Sequence, residues 1–156
     1  MDANHVNAIT RAAKSIMVSH LGMSVEVNAP YVTASDIASE QISVILGVNG
    51  ELEGQIICSM KEDTAKSIVG TMMGGMDIQH LDDMSWSAIQ EFGNWIAGTT
   101  ATELSKEATT IDVTPPVINE GASSFHASSS FITLPLTSQI GDLNVHVSVK
   151  KSKALK

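Results

Sequence analysis

The sequence predicts a two-layer α/β domain in which a mainly antiparallel six-stranded sheet packs with helices. Two regions, 41–58 and 131–149, each hold a pair of extended runs joined by turn residues. Three other regions, beginning near residues 4, 60 and 82, carry apolar residues at helical spacing. Together these give the order α–β–β–β–α–α–β–β–β.

The first helix is expected from a cap at Asp2 or Asn4 to about His20, with Val6, Ile9, Ala13, Ile16 and Met17 as its apolar face and Gly22 as its stop. Ser24–Val32 alternates at Val25 and Val27 and then meets Pro30, which suits an irregular or edge strand. Ile42, Val44 and Leu46 begin a hairpin over 41–58. Its return run is Leu52–Cys58, and Asn49-Gly50 supplies residues that tolerate positive φ at the turn.

Ser59 and Glu62 have the spacing of a capping box for a second helix, whose apolar side includes Met60, Thr64, Ala65, Ile68, Val69, Met72 and Met73 and which Gly74-Gly75 ends. An acidic connection, Asp77–Asp83, leads to the longest helix, capped by Asp82 or Asp83 and continuing to Leu104. Thr109–Val117 has strand character interrupted by Pro115-Pro116. The serine-rich stretch 121–130 reads as turn and loop. Phe131–Leu134 and Leu143–Val149 then pair across Gln139–Asp142, and in the last strand Leu143, Val145, Val147 and Val149 alternate with Asn144, His146, Ser148 and Lys150, predicting one buried and one wet face.

At 156 residues the chain fits one compact domain, expected over 1–150 and followed by a basic, mobile tail at 151–156. Only 4% of residues are aromatic, so aliphatic and methionine side chains must fill the core. The net charge of −8 argues against nucleic-acid or anionic-membrane surfaces and favours a locally basic protein partner. Cys58 is a lone cysteine, there is no export signal, and no apolar run is long enough to cross a bilayer, so a cytoplasmic setting is expected.

Several chemistries lack a sequence basis. The five histidines are far apart, with no His-Glu-x-x-His or close Cys/His spacing, so no bound metal is expected. Glu62-Asp63 and Asp82-Asp83 fall at helix starts, where capping accounts for them. The glycines form neither Gly-x-Gly-x-x-Gly nor a phosphate loop, and no Gly-x-Ser-x-Gly elbow marks a serine nucleophile.

The long helix is more informative. At about 100° per residue, Ile89, Phe92, Ile96 and Thr100 share one side, whereas Ser87, Glu91, Asn94 and Gly98 share the other. A mid-helix glycine costs roughly 1 kcal/mol relative to alanine, so Gly98 answers some need other than helix stability. Glu91 and Asn94, three apart, address one small volume outside the helix. On periodicity alone the stripe is either a solvated polar face or a surface for interaction or catalysis.

The run Ser87-Ala88-Ile89-Gln90-Glu91-Phe92-Gly93-Asn94-Trp95-Ile96-Ala97-Gly98 resembles the site helix of the CheC/CheX/FliY chemotaxis phosphatase family, particularly its single-site CheX branch. In that pattern serine or aspartate is followed after three residues by glutamate, after two more by asparagine, and four further on by glycine. The resemblance extends through Gly50-Glu51-Leu52-Glu53-Gly54, Thr64-Ala65, Met73-Gly74-Gly75 and Pro115-Pro116-Val117-Ile118-Asn119-Glu120-Gly121, covering nearly the whole chain.

The resemblance implies a CheC-like fold and removal of phosphate from the aspartate of a CheY-like receiver. Asn94 would orient the attacking water, and Glu91 would dock to the receiver's lysine. Ser87 and Gly98 would be partner-contact positions without direct chemistry. The receiver would bring its own Mg²⁺, so no cofactor is expected on this chain. Thr10, Lys14 and Met17 occupy the corresponding offsets in the first helix, so one active face per chain is implied. The resemblance further implies a homodimer through β-structure, with the edge of the C-terminal hairpin as candidate interface. The alternatives are a noncatalytic receiver-binding adaptor and an assembly module working through a β edge.

Overall fold

Two local hairpins, joined to each other and flanked by strands distant in sequence, build a sheet of six lanes. The computed structural model describes residues 2–152. Its strands are β1 (Val25–Val27), β2 (Tyr31–Val32), β3 (Asp36–Ala38), β4 (Ile42–Gly50), β5 (Leu52–Met60), β6 (Ile111–Val113), β7 (Val117–Glu120), β8 (Ser124–His126), β9 (Ile132–Ser138) and β10 (Gly141–Lys151). The helices are α1 (Ala3–Ser15), continued by a π-helical turn at Ile16–His20, α2 (Glu62–Met72) and α3 (Asp83–Lys106).

The main path runs β1-β9-β10-β5-β4-β6, and its pairs are antiparallel. β2 pairs with β9 beyond β1, and β7 pairs with β4 beyond β6. Six expected strands are therefore six lanes, with each outer lane broken in two. Prolines stand at both breaks, Pro30 before β2 and Pro115-Pro116 before β7, where a missing N–H is tolerated at a sheet edge.

The inner face carries the apolar residues the alternation picked out. Ile42, Val44, Leu46 and Val48 of β4 meet Ile56, Cys58 and Met60 of β5 and Leu143, Val145, Val147 and Val149 of β10, beneath Ile9, Ile16, Ile68, Ile89, Phe92 and Ile96 of the helical layer. Burial raises the Cys58 thiol pKa to about 12, which makes it an inert core residue.

The other face departs from expectation. His146 and Ser148, read as the wet side of the last strand, are buried. β3 and β8 pair as a separate two-stranded sheet, and the segments around them contribute Ile37 and Phe131 to a second apolar cluster with Ile57. Alternation identifies a polar face but cannot tell a covered one from a solvated one. Thr133 Oγ1 lies 2.8 Å from His146 Nδ1, and the Phe131 ring meets the imidazole edge-on. The serine-rich region is thus partly structural, because Ser124–His126 is β8 and Ser123 N–H donates to Ser39 Oγ at 3.0 Å.

Three local readings are corrected. Ser59 does not cap α2: β5 extends through it, and its hydroxyl accepts from Glu40 N–H at 2.6 Å. The Glu62 N–H is satisfied instead by Gln41 Oε1 at 2.8 Å, a partner distant in sequence. Asn49-Gly50 does not close a two-residue turn, since both residues remain in β4 and pair with Asp112 and Ile111 of β6. Finally, the C-terminal hairpin has no free edge, because β9 is flanked by β1 and β2 and β10 by β5. Of the expected tail, Lys151 lies in β10 and the Ser152 N–H donates to Glu51 O at 3.0 Å; residues 153–156 lie outside the described residues.

The seating of α3 on the sheet depends on Gly93. A Cβ at this position would lie 2.7 Å from Pro116 Cβ and 2.9 Å from Val44 Cγ1, so only glycine lets the helix approach this closely. Beside it, Gln90 Nε2 donates to Pro116 O at 2.8 Å. The Pro-Pro segment is thereby both a strand interruption and the bed of the helix.

Gly93→Ala is expected to lower the melting temperature, because overpacking against a proline ring costs about 1–3 kcal/mol and outweighs the roughly 1 kcal/mol gain in helix propensity. A melting temperature at or above wild type would refute this account of the seating.

A second expectation concerns acid. Burial lowers the His146 pKa from 6.5 to about 4, so between these values the unfolded chain binds a proton that the folded chain does not. Stability falls as pH drops through that window and this loss is complete near pH 4, amounting to roughly 2–3 kcal/mol. Denaturation curves at pH 7.5 and 4.5 should show His146→Asn losing less stability than wild type; parallel losses would mean the imidazole is not held neutral.

Candidate active site

Helix α3 is fixed at both ends before its outer face is considered. Asp82 caps the start, accepting from Ser85 N–H at 2.9 Å and Ser85 Oγ at 3.0 Å, and these bonds hold its carboxyl below the usual range. At the other end Arg11 of α1 reaches Glu103 at 2.9 Å and Glu107 at 3.0 Å, while Lys106 reaches Glu103 at 2.7 Å. The Lys106 and Arg11 contacts depress the Glu103 pKa. The ends and the Gly93 seat together leave the helix one rotation about its axis.

That rotation separates the two faces as the periodicity predicts. Ile89, Phe92, Ile96 and Thr100 are buried. Ser87, Glu91, Asn94 and Gly98 are all exposed, within an arc of about 60°. Among the described residues, the side chains of Ser87, Glu91 and Asn94 make no hydrogen bond or ion pair. A Cβ added at Gly98 would meet nothing within 4 Å, so this chain's own packing does not require glycine there.

The two sides of the stripe differ. On the Asn94 side, Gln90 is tied to Pro116. On the Glu91 side, the Trp95 indole lies against His20, with ring centroids 4.8 Å apart and planes inclined by 35°. The sequence reading missed both contacts, together with the Gly93 seat. A signal for the seat existed, since position 93 falls on the buried side between Ile89 and Ile96. No local signal pairs His20 with Trp95.

This arrangement presents a carboxylate and a carboxamide on a convex surface. Among the described residues, a hollow of about 370 Å³ lies elsewhere, lined by Gln55, His126 and Ser148. A convex face suits insertion into a partner's cavity better than enclosure of a small molecule. The carboxamide can both donate to and accept from a water, and the carboxylate can accept from a cation. In α1, Met17 is buried and Thr10 Oγ1 donates to Val6 O at 2.9 Å, so α1 offers no equivalent stripe. Among the described residues no three of His, Cys, Asp and Glu gather as a metal site, and no helix is long and apolar enough to cross a membrane.

Comparison with known proteins places the chain in one family. The family model for the chemotaxis phosphatase CheX matches residues 42–137, which span β4 to β9 and include all of α3. A CheY-P phosphatase CheX from Thermotoga maritima is 31% identical over 152 residues, covering 96% of this chain and 98% of that protein. Among solved structures, a CheC-like superfamily protein from Shewanella sp. PV-4 gives a TM-score of 0.85 at 18% identity, covering 96% of this chain and 99% of its own. A chain of the CheX–CheY–BeF3–Mg²⁺ complex from Borrelia burgdorferi gives 0.75 at 23% identity, covering 94% and 98%. With the CheC-like fold shared by its structural neighbours and a relative above 30% identity along nearly its full length, the chain belongs to the CheX family of chemotaxis phosphatases.

Proposed function

We propose that this chain hydrolyses the aspartyl phosphate of a CheY-like receiver, with Asn94 as the water-positioning residue and Glu91 as the docking residue. The observation that carries this reading is the outward, unpartnered Glu91/Asn94 pair on a helix whose rotation is fixed by its own packing. The phosphatase name of the Thermotoga relative and the CheY-bound state of the Borrelia protein support the partner class.

The reaction has little covalent chemistry for the protein to supply. Water attacks phosphorus, the bond from phosphorus to the aspartyl oxygen breaks, and its electron pair leaves on the carboxylate; the water's proton passes to phosphate or solvent. Mg²⁺ bound by the receiver offsets charge on the phosphoryl oxygens. Asn94 is too weak a base to take the proton, so its contribution is orientation, with the carboxamide holding water in line with the leaving oxygen. Glu91 pairs with the receiver lysine and brings Asn94 into register. Ser87 contacts the partner without entering the chemistry, and Gly98 leaves room for close approach. A homodimer of such chains would use the outer sheet lanes, since the C-terminal hairpin is enclosed on both sides.

Phosphate release from a purified CheY-type receiver with Mg²⁺ tests the assignment. Asn94→Ala should slow the single-turnover rate about 100-fold while changing the dissociation constant less than about threefold. Glu91→Ala should weaken binding about tenfold, equivalent to about 1.4 kcal/mol. A folded wild-type chain that binds the activated receiver without shortening its phosphate lifetime would instead be an adaptor.

Gly98 separates stability from docking. Gly98→Ala should raise stability by up to about 1 kcal/mol, the opposite sign to Gly93→Ala on the same helix. Gly98→Leu should remain folded yet bind the receiver poorly. Wild-type binding by the leucine variant would show that open space at this position serves no partner.

A further inference from the structure

One feature beside the candidate site is unaccounted for by the roles of Glu91, Asn94, Ser87 and Gly98. Trp95 follows Glu91 by four residues and precedes Gly98 by three, so on the helix surface it neighbours both. Its indole is half-buried, leaving part of a large apolar ring beside the most open point of the stripe. Such a ring carries more potential contact area than any of the four polar or small residues next to it.

The indole is also held. α1 ends in a π-helical turn, Ile16–His20, closed by the Leu21 N–H donating to Ile16 O at 3.1 Å. This wider turn ends at His20, whose ring lies on Trp95 at 4.8 Å. Isolated π-turns are rare and occur frequently at functional sites. Here the turn's exposed members are Val18, 45% exposed, Ser19 and His20, so it presents an apolar residue, a hydroxyl and an imidazole while Ile16 and Met17 remain in the core.

We infer that the receiver's footprint extends from Glu91 across Gly98 onto the exposed part of Trp95, that an apolar receiver side chain rests on the indole, and that His20 is a positioning residue for that ring. This rests on the α3 face being the receiver-docking surface. The occupant follows from continuity: a partner that reaches Glu91 and passes closely over Gly98 comes next to Trp95. Trp95 therefore contributes to affinity and to discrimination among receivers, not to the hydrolytic step.

The probe is a purified CheY-type receiver with Mg²⁺ and beryllofluoride, titrated against the full chain. Trp95→Ala should raise the dissociation constant about tenfold, with Trp95→Phe recovering much of the loss and His20→Ala giving about a threefold loss. At saturating phosphorylated receiver the single-turnover rate of all three should stay within about twofold of wild type. In a Trp86→Phe background, where Trp95 is the only indole, receiver binding should shift the emission to shorter wavelength; this reads the contact in a chain that keeps Trp95. Unchanged emission, or wild-type affinity in Trp95→Ala while Glu91→Ala binds weakly, would overturn the Trp95 contact and leave the docking role of α3 standing. Wild-type affinity in both variants would overturn the docking face itself and the inference with it.

Discussion

Everything distinctive about this molecule depends on how α3 is seated. A helix offers a different set of side chains for every rotation about its axis, and a turn of about 100° would exchange an outward residue for one on the flank. The seat of Gly93 against Pro116 and Val44 sets the rotation, the Gln90–Pro116 bond guards one flank, and the Asp82 cap and the Arg11 bridges fix the ends. The bridges involve partly exposed groups and contribute little stability individually. Close packing of backbone against a proline ring is less forgiving, because an overlap of a few tenths of an ångström must move the strand bed or the helix.

Gly93 and Gly98 show why residue type alone is a poor guide to role. Both lower helix propensity by about the same amount. One is required by contacts within the chain, as the distances around its missing Cβ show, whereas the other faces open space. A local penalty with no internal compensation is the kind of violation that proteins retain at functional positions. The same sequence symbol thus marks a packing constraint at one position and a candidate contact surface five residues later.

How much was legible in the sequence follows the range of the interactions involved. The cap of α3, narrowed to Asp82 or Asp83, the division of α3 into faces, and the apolar alternation of β4 and β10 are set within a few residues and could be read locally. The covered outer face of the sheet could not, because β3 and β8 lie almost ninety residues apart and neither has a strong pattern of its own. The failed capping box has the same origin. Ser59 and Glu62 have suitable spacing, but Ser59 is drawn into β5, where it pairs with Asn144 of the distant β10, and Gln41 supplies the cap from another part of the chain. Of the candidate site, Glu91, Asn94 and Gly98 were visible from spacing and from family resemblance, whereas the His20 contact depends on how the turn after α1 meets α3.

The carboxylates of α3 divide into those with partners inside the fold and one without. Asp82 bonds the first turn, Asp83 stands at the positive end of the helix dipole, and Glu103 is held between Lys106 and Arg11. Each has a use within the fold. Glu91 lies midway along the helix, away from either end of the dipole, and among the described residues it has neither a cation nor a hydrogen-bond donor as partner. An exposed carboxylate costs little to keep in water, so its presence alone decides nothing. Its position decides more: it stands three residues from an equally unpartnered amide and four from a held aromatic ring, on a helix that cannot turn to withdraw them. The preorganisation lies in the backbone: a partner meeting this face must order the free side chains of Glu91 and Asn94, but it need not bear the cost of ordering the helix that carries them.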